Sequence, residues 1–136
     1  MDGTNRRSFL KRAGTGVAGA AAAPWISSAS AQESANDTIN VAVMGIRSRG
    51  ISHLRHFSAL KNVRIATICD IDERLFAKAG QELSKAGGRR PKFETDIRRV
   101  LEDKDIDVLS IASPNHWHSL ASIWACQAGK DVYCEK

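Results

Sequence analysis

Residues 39–50, Ile-Asn-Val-Ala-Val-Met-Gly-Ile-Arg-Ser-Arg-Gly, constrain this chain more than any other stretch. Apolar residues at alternate positions run into Gly45, four residues intervene, and Gly50 opens a segment from Ile51 to Leu60 with helical spacing. At a strand, tight turn and helix start of this kind, main-chain N–H groups and the helix dipole form a cradle for an anion. The full dinucleotide fingerprint is G-x-G-x-x-G, and Arg47 stands at its middle glycine. That glycine lets the main chain approach a pyrophosphate. Gly45, Ile46, Arg47, Ser48, Arg49 and Gly50 are therefore candidate phosphate-binding residues, with Arg47 contributing charge in place of close approach. The plain alternative is an ordinary strand-turn-helix.

A length of 136 residues allows one domain and a tail. The formal charge of +5 suggests a polyanionic partner until it is divided by region. Residues 1–31 hold Arg6, Arg7, Lys11 and Arg12 against Asp2, a balance of +3 that leaves +2 for the remainder. Arg89-Arg90 and Arg98-Arg99 are not interleaved with aromatic residues, as a single-strand stacking platform would be. They read as solvated faces, and nucleic acid is not an expected partner.

Residues 1–31 resemble a twin-arginine export signal. Asn5-Arg6-Arg7-Ser8-Phe9-Leu10-Lys11 precedes an Ala/Gly run from Ala13 to Ala23, and Ala29-Ser30-Ala31 forms an A-x-A cleavage site. The apolar run is too short and too poor in Leu and Ile for a permanent membrane span. The expectation is export to the periplasm through the twin-arginine machinery, with Gln32 as the new N-terminus and residues 32–38 as a polar leader. The alternative is an Ala-rich tail.

The segment 39–136 alternates strand and helix. Val63 to Cys69 is a β-branched strand ending at Asp70, 20 residues beyond Gly50, where a carboxylate is placed to bind adenosine ribose hydroxyls. That charge would repel a 2′-phosphate, so NAD is favoured over NADP, with Arg74 able to soften the preference. Asp72 to Ala86 is an amphipathic helix closed by Gly87-Gly88. Pro91 to Phe93 is a short edge strand, Thr95 or Asp96 caps a helix from Ile97 to Glu102, and Val108 to Ala112 is a strand buried on both faces. A helix from Trp117 to Ala128 and a strand from Asp131 to Cys134 complete the series. The pattern is α/β, a doubly wound parallel Rossmann sheet of order 3-2-1-4-5. Its ligand crevice lies between Gly45–Gly50 and Ser113-Pro114-Asn115-His116.

The glycine turn, Asp70, the Ser113-Pro114-Asn115-His116-Trp117-His118 loop and the final Glu135-Lys136 occur in an order that resembles the Gfo/Idh/MocA oxidoreductases. The resemblance covers 39–136 and departs at Arg47. It implies that Pro114, Asn115 and His116 run along the dinucleotide near its nicotinamide half. It also implies that Glu135-Lys136 begins a Glu-Lys-Pro motif, with Lys136 as a catalytic residue beside nicotinamide and substrate. An ammonium there stabilises a developing alkoxide during hydride transfer and tunes the general base. The further implications are a sugar- or polyol-like substrate, a second domain beyond Lys136 that supplies the base, and a homo-oligomer built through that domain. Without that domain the chain is expected to bind a dinucleotide and turn nothing over. Some relatives use transient NAD oxidation to hydrolyse glycosides, which is the alternative chemistry.

His53 and His56, i and i+3, and His116 and His118 lack a third partner for zinc, so no metal is expected. His118 is expected to pack or cap near its helix start, and Trp117 and Trp124 to serve core or interface. Tyr133 could face cofactor or core. Cys69, Cys126 and Cys134 form no C-x-x-C pair and read as small buried thiols, with a Cys126–Cys134 bridge as second choice.

Overall fold

Five parallel strands in the order β3-β2-β1-β4-β5 form the sheet. They are β1 (Ile39–Met44), β2 (Val63–Cys69), β3 (Lys92–Glu94), β4 (Val108–Ile111) and β5 (Asp131–Cys134). The helices are α1 (Arg49–Ser58), α2 (Phe76–Lys85), α3 (Ile97–Glu102) and α4 (His118–Gln127), and 3₁₀ turns at Glu73–Leu75 and Asn115–Trp117 lead into α2 and α4. This computed structural model describes residues 37–136, which belong to one unit of the chain, Glu33–Lys136. The export signal expected on residues 1–31, and the leader up to residue 36, lie outside the described residues. Among the described residues, no helix is long and apolar enough to cross a membrane.

Because side chains alternate along a strand, β1 feeds two cores. Val41 and Val43 pack with Leu54, Ile68, Ala79 and Leu83 under α1 and α2. Ala42 and Met44 pack with Ile97, Val100, Leu109, Ile111, Ala121 and Ala125 on the opposite face, under α3 and α4. Both faces of the central strands are thus covered, as parallel sheets require. Each fully buried Leu or Ile contributes about 2 kcal/mol of apolar burial. These two cores fix the carboxyl ends of β1, β2 and β4 side by side.

Several boundaries differ from the sequence-based expectation. Pro91 has no N–H to give the ladder, so β3 starts at Lys92, paired with Thr67. The first helix begins at Arg49, two residues before Ile51, because Gly50 sits inside its first turn. Asp72 caps a 3₁₀ turn rather than an α-helix, accepting from the Arg74 N–H. Cys69 is buried, but Cys126 and Cys134 are exposed free thiols, which corrects the expectation that all three are buried. Those two belong to an outward face of α4 and to β5, the last strand of the sheet.

Candidate dinucleotide site

Two glycines are required by the turn for different reasons. Gly45 has φ of +84°, and a Cβ there would lie 2.6 Å from the Ser113 nitrogen. Only glycine lets the ends of β1 and β4 come this close. Gly50 has ordinary dihedrals, but a Cβ would run into the Gly45 carbonyl oxygen. Arg47 has no such restriction. Asn62 is the non-glycine residue with positive φ among the described residues, so the backbone at Arg47 suits an L side chain. Its guanidinium is exposed and lies 3.5 Å from Asp72.

Ile46 is buried and donates its N–H to Asp70 Oδ2 at 2.8 Å, which ties the turn to the end of β2. The N–H groups of Arg47 and Ser48 have no protein acceptor among the described residues. Ser48 caps α1 without a side-chain hydrogen bond, and the first turn of α1 carries no acidic residue. Free amides at a helix N-terminus, with Arg47 and Arg49 beside them, fit an anion.

Asp70 also accepts from the Asp72 N–H through Oδ1 at 2.9 Å. Its carboxylate is therefore fixed by two main-chain donors at the head of a cleft of about 450 Å³. Gly45, Ile71, Thr95, Ile97, His116 and Trp117 are among the residues that line it. A second lobe of about 490 Å³ shares Gly45, Asp70, Ile71, Ser113 and Pro114, and adds Arg47, Asp72 and Arg74. Asp72 is held below the usual carboxylate range, first by its hydrogen bond from Arg74 and further by Arg47. Arg74 is thus engaged with Asp72, not with Asp70. In the wall of the cleft, burial first and nearby carboxylates second push the Cys69 thiol up to about 12, so it stays protonated.

Ser113 Oγ is buried with no hydrogen-bond partner, and the Ser113 carbonyl accepts from His118 Nε2 at 2.7 Å. His118 therefore fixes the loop, while Asn115 and His116 are exposed along it. Pro114 and His116 share the cleft with Asp70; Glu135 and Lys136 do not line it. Trp117 and Trp124 are half-buried against the core.

The far corner is built differently. Glu135 Oε1 lies 3.1 Å from Arg49 Nε and 3.0 Å from His53 Nε2. The hydrogen bond from His53, with Arg49 second, holds the Glu135 carboxyl below its ordinary value. Lys136 is exposed. Tyr133 packs edge-on against His53 and Phe57 and is half exposed, so it touches both core and surface. Sequence reasoning missed His53 and Ser110 as site residues. The available signals were a histidine on the inward face of α1, three residues after Gly50, and a serine inside the apolar run of β4.

Comparison with known proteins bears on the family and the fold. A family model described as the Gfo/Idh/MocA oxidoreductase family, NAD-binding Rossmann fold, matches residues 39–136. A protein of Shewanella sp. (strain ANA-3), named glycosyl hydrolase family 109 protein 2, is 30% identical over 99% of this chain and 34% of its own length. The chain therefore spans about a third (34%) of the length of that curated relative. Among solved structures, an NAD binding oxidoreductase from Klebsiella pneumoniae is 29% identical with a TM-score of 0.60, over 74% of this chain and 27% of that one. A levoglucosan dehydrogenase in complex with NADH is 29% identical with a TM-score of 0.63, over 73% of this chain and 27% of that one.

Proposed function

Since the chain belongs to the Gfo/Idh/MocA oxidoreductase family as an NAD-binding Rossmann domain, we propose that it is the cofactor domain of an exported, NAD-dependent enzyme. That enzyme moves hydride between a sugar- or polyol-type alcohol and nicotinamide. The observation that carries this reading is the uncapped, amide-rich turn at Gly45–Gly50, joined to Asp70 at the mouth of the cleft.

The chain's residues divide the work. The free amides after Gly45 hold the pyrophosphate, and Arg47 and Arg49 add charge. Asp70, oriented by its two amide donors, keeps acceptor capacity for ribose hydroxyls and disfavours a 2′-phosphate. Ile71, 86% exposed at the cleft, offers an apolar surface to adenine, and the unpartnered Ser113 hydroxyl can bond the nucleotide. In the order β2-β1-β4-β5, Asp70 and Lys136 are three strand spacings apart, roughly 14 Å, which suits the two ends of a dinucleotide. The resemblance implies that Pro114 and His116 run near the nicotinamide half, but they share the cleft with Asp70, so on this layout they reach toward the adenosine end and Lys136 takes the nicotinamide end. Nicotinamide, when bound, would supply the hydride acceptor, and the Lys136 ammonium stabilises the alkoxide as the hydroxyl gives its proton to the general base expected from a second domain.

The test uses the full-length protein with NAD and a panel of sugars and polyols. Lys136→Ala is expected to lower kcat about 100-fold while the NAD Kd stays within about threefold. Undiminished turnover in that variant contradicts the reading. A second chemistry has its own support in the name of the Shewanella relative, glycosyl hydrolase family 109 protein 2. Sugar release that needs only catalytic NAD, without net reduction, favours glycoside hydrolysis over dehydrogenation. Export rests on Arg6-Arg7 and Ala29-Ser30-Ala31; a mature protein beginning at Gln32 in the periplasmic fraction supports it, and a cytoplasmic protein retaining Met1 overturns it. Assembly as a homo-oligomer is tested by the solution mass of the same preparation.

A further inference from the structure

We propose that His53 is a positioning residue for Lys136, acting through Glu135. The inference rests on the reading of Lys136 as the group that faces the reacting hydroxyl. The His53 ring is 5% exposed and bridges two strands: Nδ1 lies 2.7 Å from Ser110 Oγ on β4, and Nε2 lies 3.0 Å from Glu135 Oε1 just after β5. A carboxylate only accepts, so Nε2 carries the hydrogen and Nδ1 faces the serine hydroxyl. Arg49 Nε at 3.1 Å and the Tyr133 hydroxyl at 3.5 Å approach the same Oε1. The Glu135 N–H donates to the Ile111 carbonyl at 3.0 Å, extending the β4–β5 ladder by one residue. Glu135 is therefore held by main chain and side chain together, and Lys136 is the next residue.

A buried histidine that only completes a core would need partners for its nitrogens, but they could be any nearby groups. Here one partner is the side chain adjacent to Lys136, and the ring sits on α1, whose N-terminus is the phosphate cradle. One helix thus contributes both to the anion cradle at its start and, through His53, to the corner that carries Lys136. A lysine has four rotatable side-chain bonds, so its ammonium is placed only as well as its backbone is.

His53→Phe keeps an aromatic ring against Phe57 and Tyr133 and removes both nitrogens. In the full-length protein it is expected to lower kcat about tenfold or more, with NAD Kd and substrate KM within about threefold. His53→Gln, which keeps a donor and an acceptor, is expected to recover most of the loss. The double variant His53→Phe/Glu135→Gln is expected to be no worse than Glu135→Gln alone, since both changes cut one link. A folded His53→Phe with kcat within twofold of the parent, or multiplicative losses in the double variant, overturns the proposal. If His53→Phe does not fold, Ser110→Ala, which removes the partner of Nδ1, carries the same comparison with the same limits. If the parent binds NAD but turns nothing over, the reading of Lys136 fails separately. Amide hydrogen exchange then decides the positioning role. His53→Phe should speed exchange of the Glu135 amide about tenfold and leave Ala42–Met44 unchanged, and equal exchange at Glu135 overturns it.

Discussion

The turn after β1 and the corner after β5 lie on the same carboxyl edge of the sheet, yet they are made of different things. Around Gly45–Gly50 the structure is main chain: free amides, a carbonyl pressed against Gly50, and the Ser113 nitrogen against Gly45. Around Glu135 it is side chains: Arg49, His53, Ser110 and Tyr133 meet through one carboxylate and one imidazole. A main-chain site demands the absence of a side chain at two positions and is indifferent at the others. A side-chain site demands particular partners brought from distant parts of the sequence. This difference explains how Arg47 can occupy the middle position of the fingerprint without deforming the turn.

The largest effect is expected at Gly50. Gly50→Ala forces a methyl into the Gly45 carbonyl, and we expect destabilisation of about 3 kcal/mol or more with loss of measurable NAD binding. Denaturant unfolding checks the first and calorimetry the second. A stable, NAD-binding Gly50→Ala protein would show that the turn is not fixed by its backbone. Next comes Asp70→Ala, which strands the Ile46 and Asp72 amides and removes the carboxylate proposed to accept from ribose. NAD affinity should fall about 10- to 100-fold, from loss of charge-assisted hydrogen bonds.

At the other corner the sharper probe is pH. Glu135 is held below its ordinary value of 4.5 in the fold, so its ion pairing stabilises the protein above that value and the contribution fades as pH falls below it. Glu135→Gln removes the titrating group. Its stability should therefore differ from the parent at neutral pH and converge with it on acidification, as followed by urea unfolding across the acid range. Parallel curves would mean that Glu135 is not coupled to His53 and Arg49. The smallest effect is expected at Arg47. Arg47→Gly should change stability by less than about 0.5 kcal/mol, because the Asp72 contact is long and exposed, and should weaken NAD binding only a few-fold. Tighter binding would mean that the arginine obstructs the phosphate rather than attracting it.

How far the sequence could be read follows the same division. β2, α3, β5 and the strand order were legible because they depend on local β-branched runs, caps and alternation. The turn positions of Gly45 and Gly50 and the place of Asp70 at the end of β2 were legible because a tight strand-turn-helix leaves a fixed spacing behind. The 3₁₀ turns before α2 and α4 were not, since no residue pattern separates them from a first α-helical turn. His53 with Glu135, 82 residues apart, was invisible because nothing local records which strand a helix face will meet. The exposure of Cys126 and Cys134 was missed for a related reason: a thiol suits either face, and only packing decides.

The most direct test is an NAD titration of the full-length protein followed by backbone amide chemical shifts. Saturable shifts are expected that are largest from Ile46 to Gly50, with a second group at Ile71 and Asp72 and at Ser113, and weaker ones at Glu135 and Lys136. Saturable binding that leaves the Ile46–Gly50 amides unmoved, or shifts confined to a basic surface such as Arg89-Arg90, would contradict the proposed site.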